Sequence, residues 1–157
     1  NQLTQKIIGY RNRATVKIDF SQLAVGSRCG LECIGNKFMA IGVQAEIVAG
    51  QRKDVIYLER DGEVQVVRPV PANADGVIYL RLDIDTPRNA FQFMYSFDGK
   101  TFDKAGEPFE MSDGDWKGCR TGIYCYTTDE SAAGGPALFD WFVYDTDGPG
   151  NLKVTEN

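Results

Sequence analysis

The chain has 157 residues, with 17 basic and 22 acidic side chains and a formal net charge of -5, a length that suits one domain with a complete hydrophobic core. It contains no histidine, which excludes Ser-His-Asp and Cys-His nucleophile systems, histidine general bases and histidine-ligated zinc or iron. Carboxylate chemistry and oxygen-ligated cations such as calcium stay open, while basic clusters no larger than Arg11-Asn12-Arg13 and Gln51-Arg52-Lys53 argue against a nucleic-acid partner.

Taken in chain order, the pattern is period-2 throughout. The sequence starts at Asn1 without an initiator Met or the basic and apolar regions of a leader, and reads as a processed product or an excised piece of something longer. Residues 14–20 alternate Val16, Ile18 and Phe20 against Thr15, Lys17 and Asp19. Residues 27–34 set Cys29, Leu31 and Cys33 against Arg28, Gly30 and Glu32. A long extended run follows over 37–47. Residues 55–60 and 64–68 flank Asp61-Gly62, a tight-hairpin dipeptide. Residues 77–85 place Ile78, Leu80, Leu82 and Ile84 inward, with Tyr79, Arg81, Asp83 and Asp85 outward. Residues 90–97 and 101–106 flank Asp98-Gly99, a second hairpin signal. Residues 118–126 and 138–144 are the last strand candidates.

Many short strands with turn signals at this spacing indicate an all-β fold: a two-sheet antiparallel β-sandwich or jelly roll. The sandwich is expected over 1–146 and a polar C-terminal tail over 147–157. No apolar run approaches the ~20 residues that span a bilayer, so no membrane partner is expected. The cysteines form two sequence pairs, Cys29/Cys33 and Cys119/Cys125, each at an even offset within a strand-like run. Their spacings do not suit a four-thiolate zinc site and leave core thiols or a cross-strand disulfide.

The faces opposite the expected core carry paired charges and aromatics. Arg28 and Glu32 share one, as do Gln44 and Glu46; Tyr79, Arg81 and Asp83 share another, and Arg120, Tyr124 and Tyr126 a third. If these strands belong to one curved sheet, they converge on a polar, aromatic-edged groove suited to sugars: Arg and carboxylate bind hydroxyls, and pyranose C–H faces stack on rings. A solvated sheet face with weak cross-strand ion pairs is the competing account. Trp116 follows a polar loop and is either a lid or a stacking platform, whereas Trp141 is expected in the core. Phe38 sits at a loop tip suited to an interdomain contact. Asp140, the one acid in an apolar strand, must be paired, capped or bound to a cation such as calcium. No pair of carboxylates is marked as the acid and base of glycoside hydrolysis.

The hairpin Tyr95-Ser96-Phe97-Asp98-Gly99-Lys100-Thr101-Phe102 has a form found in carbohydrate-active proteins. It stands with Leu3-Thr4-Gln5-Lys6 leading to residues 14–20, then residues 26–34, Ile78-Tyr79-Leu80-Arg81-Leu82, residues 118–126 and Phe139-Asp140-Trp141-Phe142. In that order the set resembles the C-terminal domain of family 43 glycoside hydrolases, a concanavalin A-like β-sandwich attached to a five-bladed propeller in β-xylosidases and arabinofuranosidases. The resemblance implies an accessory domain that is not itself catalytic, with the catalytic acids in the propeller and the propeller as its partner. It also implies contact with xylan- or arabinoxylan-type oligosaccharides, a loop over 34–40 carrying Phe38 that helps close a substrate pocket, and a bacterial protein exported to the periplasm or beyond. An independent carbohydrate-binding module is the alternative.

Overall fold

A computed structural model describes residues 1–111, 118–128 and 135–147. Among them are eleven strands: β1 (Gln2–Lys6), β2 (Arg11–Asp19), β3 (Ser27–Ile34), β4 (Phe38–Val48), β5 (Gln51–Arg60), β6 (Glu63–Pro69), β7 (Val77–Asp85), β8 (Ala90–Ser96), β9 (Asp103–Lys104), β10 (Arg120–Thr127) and β11 (Leu138–Thr146). They form a six-stranded sheet in the order β1-β10-β3-β4-β5-β6 and a five-stranded sheet in the order β11-β2-β7-β8-β9. Every pairing is antiparallel. The fold is the all-β, two-sheet sandwich that the alternation indicates.

The core lies between the sheets and is built by that alternation. Cys29, Leu31 and Cys33 of β3 and Ile41 and Val43 of β4 face Val16 and Ile18 of β2 and Leu80 and Leu82 of β7, all with 0% exposure. Each such side chain contributes roughly 1.5–3 kcal/mol on burial. Asp61 (φ 53°) and Gly62 (φ 90°) are both left-handed between β5 and β6, the conformation a two-residue hairpin needs to match strand twist. The second hairpin differs from expectation. β9 is two residues long, because Asp98 organises the loop itself: its Oδ1 accepts from Lys100 N and Thr101 N, each at 2.8 Å, and from Ser96 Oγ at 2.8 Å. These bonds lower the Asp98 carboxyl to about 2, the Thr101 and Lys100 amides foremost.

Trp141 is not a core residue. Between Phe139, opposite Ile18, and Trp141, opposite Lys17, the β11 register slips at Asp140. A bulge inserts one residue and reverses the inside-outside phase, so Trp141 lies on the outer face, 38% exposed. Of the tail expected over 147–157, only Asp147 is described, and its Oδ1 accepts from Tyr10 N (2.8 Å) and Arg11 N (3.0 Å). Cys29 and Cys33 are buried and Cys125 is half-buried, and the structure joins none of the three in a disulfide.

Candidate functional site

The outer face of the six-stranded sheet is ordered by register into rows that cross it. In one, Gln2, Tyr124, Gly30, Gly42, Tyr57 and Val66 stand opposite one another on β1, β10, β3, β4, β5 and β6. The two tyrosines lean toward each other over the two glycines until their hydroxyls hydrogen-bond. Tyr124 Oη also donates to Ile41 O at 3.2 Å. A Cβ on Gly30 would lie 2.0 Å from Ile41 O, and one on Gly42 would lie 2.5 Å from the Tyr124 hydroxyl. Only glycine leaves that room. Tyr57 and Tyr124 are 0% and 2% exposed although they sit outside the main core. Burial raises both phenols well above their ordinary range.

A neighbouring row sets Gly122, Glu32, Ala40 and Glu59 side by side. Glu32 is 0% exposed. Its Oε2 accepts from Gln2 Nε2 at 3.1 Å, and its Oε1 has no protein partner. Burial pushes the Glu32 carboxyl up to about 7, against a smaller lowering by the Gln2 amide. The third row is polar. Arg28 Nε donates to Gln44 Oε1 (2.7 Å), and Arg28 Nη1 reaches the Tyr126 hydroxyl (3.4 Å) and Glu59 Oε2 (3.5 Å). Tyr126 Oη donates to Glu59 Oε2 (3.3 Å) and Gln44 Nε2 to Glu46 Oε2 (3.1 Å). The Arg28 guanidinium lies 4.9 Å from the Tyr57 ring centroid, a cation–π distance. Phe38 meets Tyr124 edge-on at 6.4 Å.

The structure therefore brings Arg28, Glu32, Gln44, Phe38 and Tyr124 to one face, with Arg120 exposed at its end opposite Lys6 and Ile34. It does not bring Tyr79, Arg81 and Asp83 there. They belong to β7 and occupy the outer face of the five-stranded sheet, on the far side of the core, so the expected single groove is two separate faces. On the second, Tyr79 contacts Trp141 (6.1 Å between centroids), the Arg81 guanidinium stacks on Phe102 at 3.6 Å, and Asp83 accepts a two-pronged pair from Arg13 at 2.6 and 3.2 Å. Trp116 lies outside the described residues. Asp140 pairs with Lys17 Nζ at 2.7 Å, so an ammonium meets its need for a partner. Among the described residues no three acidic or thiol side chains converge as metal ligands.

Sequence reasoning missed Tyr57, Glu59 and the roles of Gly30 and Gly42. Each is legible only once β4 is known to lie between β3 and β5.

The two packed antiparallel sheets and the filled outer face place the chain among concanavalin A-like β-sandwiches. It belongs to the β-xylosidase C-terminal concanavalin A-like domain family, whose model matches residues 1–145. A β-xylosidase of Formosa agariphila is 33% identical over 150 residues, covering 95% of this chain and 24% of that protein. A bifunctional GH43-CE protein of Bacteroides eggerthii superposes with a TM-score of 0.74 at 27% identity, covering 92% of this chain and 19% of that one. A GH43 protein of Bacillus licheniformis, BlXynB, superposes with a TM-score of 0.64 at 25% identity, covering 92% of this chain and 29% of that one. The chain thus spans about a quarter of the length of the β-xylosidase it matches.

Proposed function

We propose that the chain is the accessory sandwich of a xylan-degrading GH43 hydrolase, carries no catalytic group of its own, and packs on a catalytic propeller through the outer face of its six-stranded sheet. The observation that carries this reading is the finish of that face. Tyr57, Tyr124 and Glu32 are as buried as core residues, next to Val64 and Val66 at 42% and 54% exposure. A face built in this way offers a rigid floor to a second body and an apolar margin to cover. Family membership and the quarter-length match to a β-xylosidase support the same assignment. Phe38 and the Arg28–Gln44–Glu59 network are the groups placed to touch a xylan- or arabinoxylan-type oligosaccharide at the edge of such an interface. The purified chain is expected to leave aryl β-xylosides unhydrolysed; turnover that survives rigorous purification refutes the reading.

A second reading, an independent carbohydrate-binding module, has its own observation in the Trp141–Tyr79 pair on the opposite face, with Arg81 stacked on Phe102 beside it. Titration calorimetry with xylo- and arabino-oligosaccharides separates the two. Heat abolished by Trp141→Ala selects the module, heat abolished by Arg28→Ala selects sugar contact at the six-stranded face, and silence across the panel selects protein packing alone.

A further inference from the structure

We infer that Cys29 and Cys125 form a site of covalent modification: a pair of thiols pre-registered across β3 and β10 to close into a disulfide. The pairs seen along the sequence are not the pairs that meet. Cys29 and Cys33 lie four residues apart on one extended strand, roughly 13 Å, and Cys119 and Cys125 are farther apart still. Across the strands, Cys125 stands directly opposite Cys29, and Cys33 stands opposite Thr121.

Backbone bonding decides which cross-strand pair is within reach. Cys125 N donates to Asn1 O at 3.2 Å, and Cys125 O accepts from Asn1 N at 3.2 Å. Both main-chain groups of Cys125 therefore point to the β1 side. Toward β3 it occupies a non-hydrogen-bonded position, where facing Cα atoms approach to about 4.5 Å. That separation lies within the range of about 4.4–6.8 Å that a disulfide spans. The two side chains also share a face, since Cys29 lies in the core and Cys125 packs against it. Cys119 is displaced by two residues from the partner of Cys33. Such diagonal neighbours lie about 7–8 Å apart, beyond what a disulfide bridges without backbone movement.

The step balances as thiol–disulfide exchange with a small disulfide such as glutathione disulfide. The Cys125 thiolate attacks one sulfur of the oxidant, breaking its S–S bond and releasing one thiolate. The Cys29 thiolate then attacks Cys125 Sγ, forming the intrachain bond and releasing the second thiolate. The two protons lost by the protein thiols end on the two released ones, so two cysteines are oxidised and one external disulfide is reduced. Cys29 is 0% exposed, and its burial raises the thiol far above the ordinary range. The second attack therefore belongs to folding, before the sheets close over β3. Once closed, the core shields the bond from reductants. It clamps the strand carrying Tyr124 and Tyr126 to the strand carrying Arg28 and Glu32.

The test is to refold the chain in a glutathione redox buffer, quench with acid, alkylate, and map tryptic peptides without reduction. Two alkylated thiols per chain are expected, with peptide 29–37 joined to peptide 121–153 and the joined species lighter by two hydrogens. The Cys33→Ala/Cys119→Ala double variant should keep the link, and Cys125→Ala should lose it. Four alkylated thiols per chain, or peptide 29–37 joined to 118–120, would overturn the inference. If refolding yields are poor, the same map is made on chain folded in an oxidising cellular compartment, and four alkylated thiols there overturn it equally.

Discussion

Replacing Glu32 with glutamine should make the protein more stable at alkaline pH and leave it nearly unchanged at acidic pH. The carboxyl is fully buried on the outer face between Gly122 and Ala40, one oxygen has no protein partner, and burial holds its proton up to about 7 against an ordinary value of 4.5. The folded protein therefore binds a proton that the unfolded chain has lost across that interval. The contribution of this carboxyl to stability is greatest below about pH 4.5, falls as pH rises to about 7, and is level above it. The full cost of ionising such a group is at most roughly 3 kcal/mol, and solvent screening near the sheet surface reduces it to about 1–2 kcal/mol. The neutral amide of Glu32→Gln never ionises, and it can still accept from the Gln2 amide. Urea unfolding of both proteins at about pH 4 and about pH 8.5 gives the comparison. A stability difference that stays the same at the two pH values refutes the buried-carboxyl account.

Further outcomes follow from the same face. Tyr124→Phe should cost about 1–3 kcal/mol and more than Tyr57→Phe, because it strands the buried Tyr57 hydroxyl, whereas Tyr57→Phe leaves Tyr124 bonded to Ile41 O; equal denaturation midpoints for the two variants would count against this. Gly42→Ala places a Cβ 2.3 Å from Cys29 O and 2.5 Å from the Tyr124 hydroxyl, and should cost upward of about 2 kcal/mol, which thermal unfolding checks against the unsubstituted chain. Asp98 should titrate near 2 by carbon-detected NMR, so its contribution is whole above the ordinary carboxylate value and fades as pH falls from about 4 toward 2. A midpoint near 4 would mean that the Thr101 and Lys100 amides do not bond it in solution.

What could be read from the sequence was whatever depends on near neighbours along the chain. The strands over 27–34 and 77–85 are observed with the boundaries their alternation predicts, because the face turned to the core dictates every second residue. The hairpin at Asp61-Gly62 was legible for the same reason, since its left-handed backbone is a local demand. Trp141 was not. A bulge at Asp140 reverses the phase of β11, and nothing in a six-residue window distinguishes a bulged strand from a regular one. The candidate site divided likewise. Arg28 and Glu32 could be placed on one face from their own strand, but joining them to Tyr79, Arg81 and Asp83 required strand order, which pairing between distant segments decides. Tyr57 was hidden by the same dependence, its meaning being set by Tyr124, 67 residues away.

The Tyr124 ring and its glycines also bear on how this family drifts. The ring fills the volume that side chains at positions 30 and 42 would occupy, so the three residues hold one space in common. A relative that trades the tyrosine for a small residue gains a trench across β3 and β4, but the carbonyls of Ile41 and Cys29 still stand 2.0 and 2.3 Å from where Cβ atoms at positions 30 and 42 would lie. One that keeps the ring must keep both glycines. Across relatives the two glycines should therefore outlast the tyrosine, and a lineage that loses the ring would present a re-shaped floor to whatever its sheet faces.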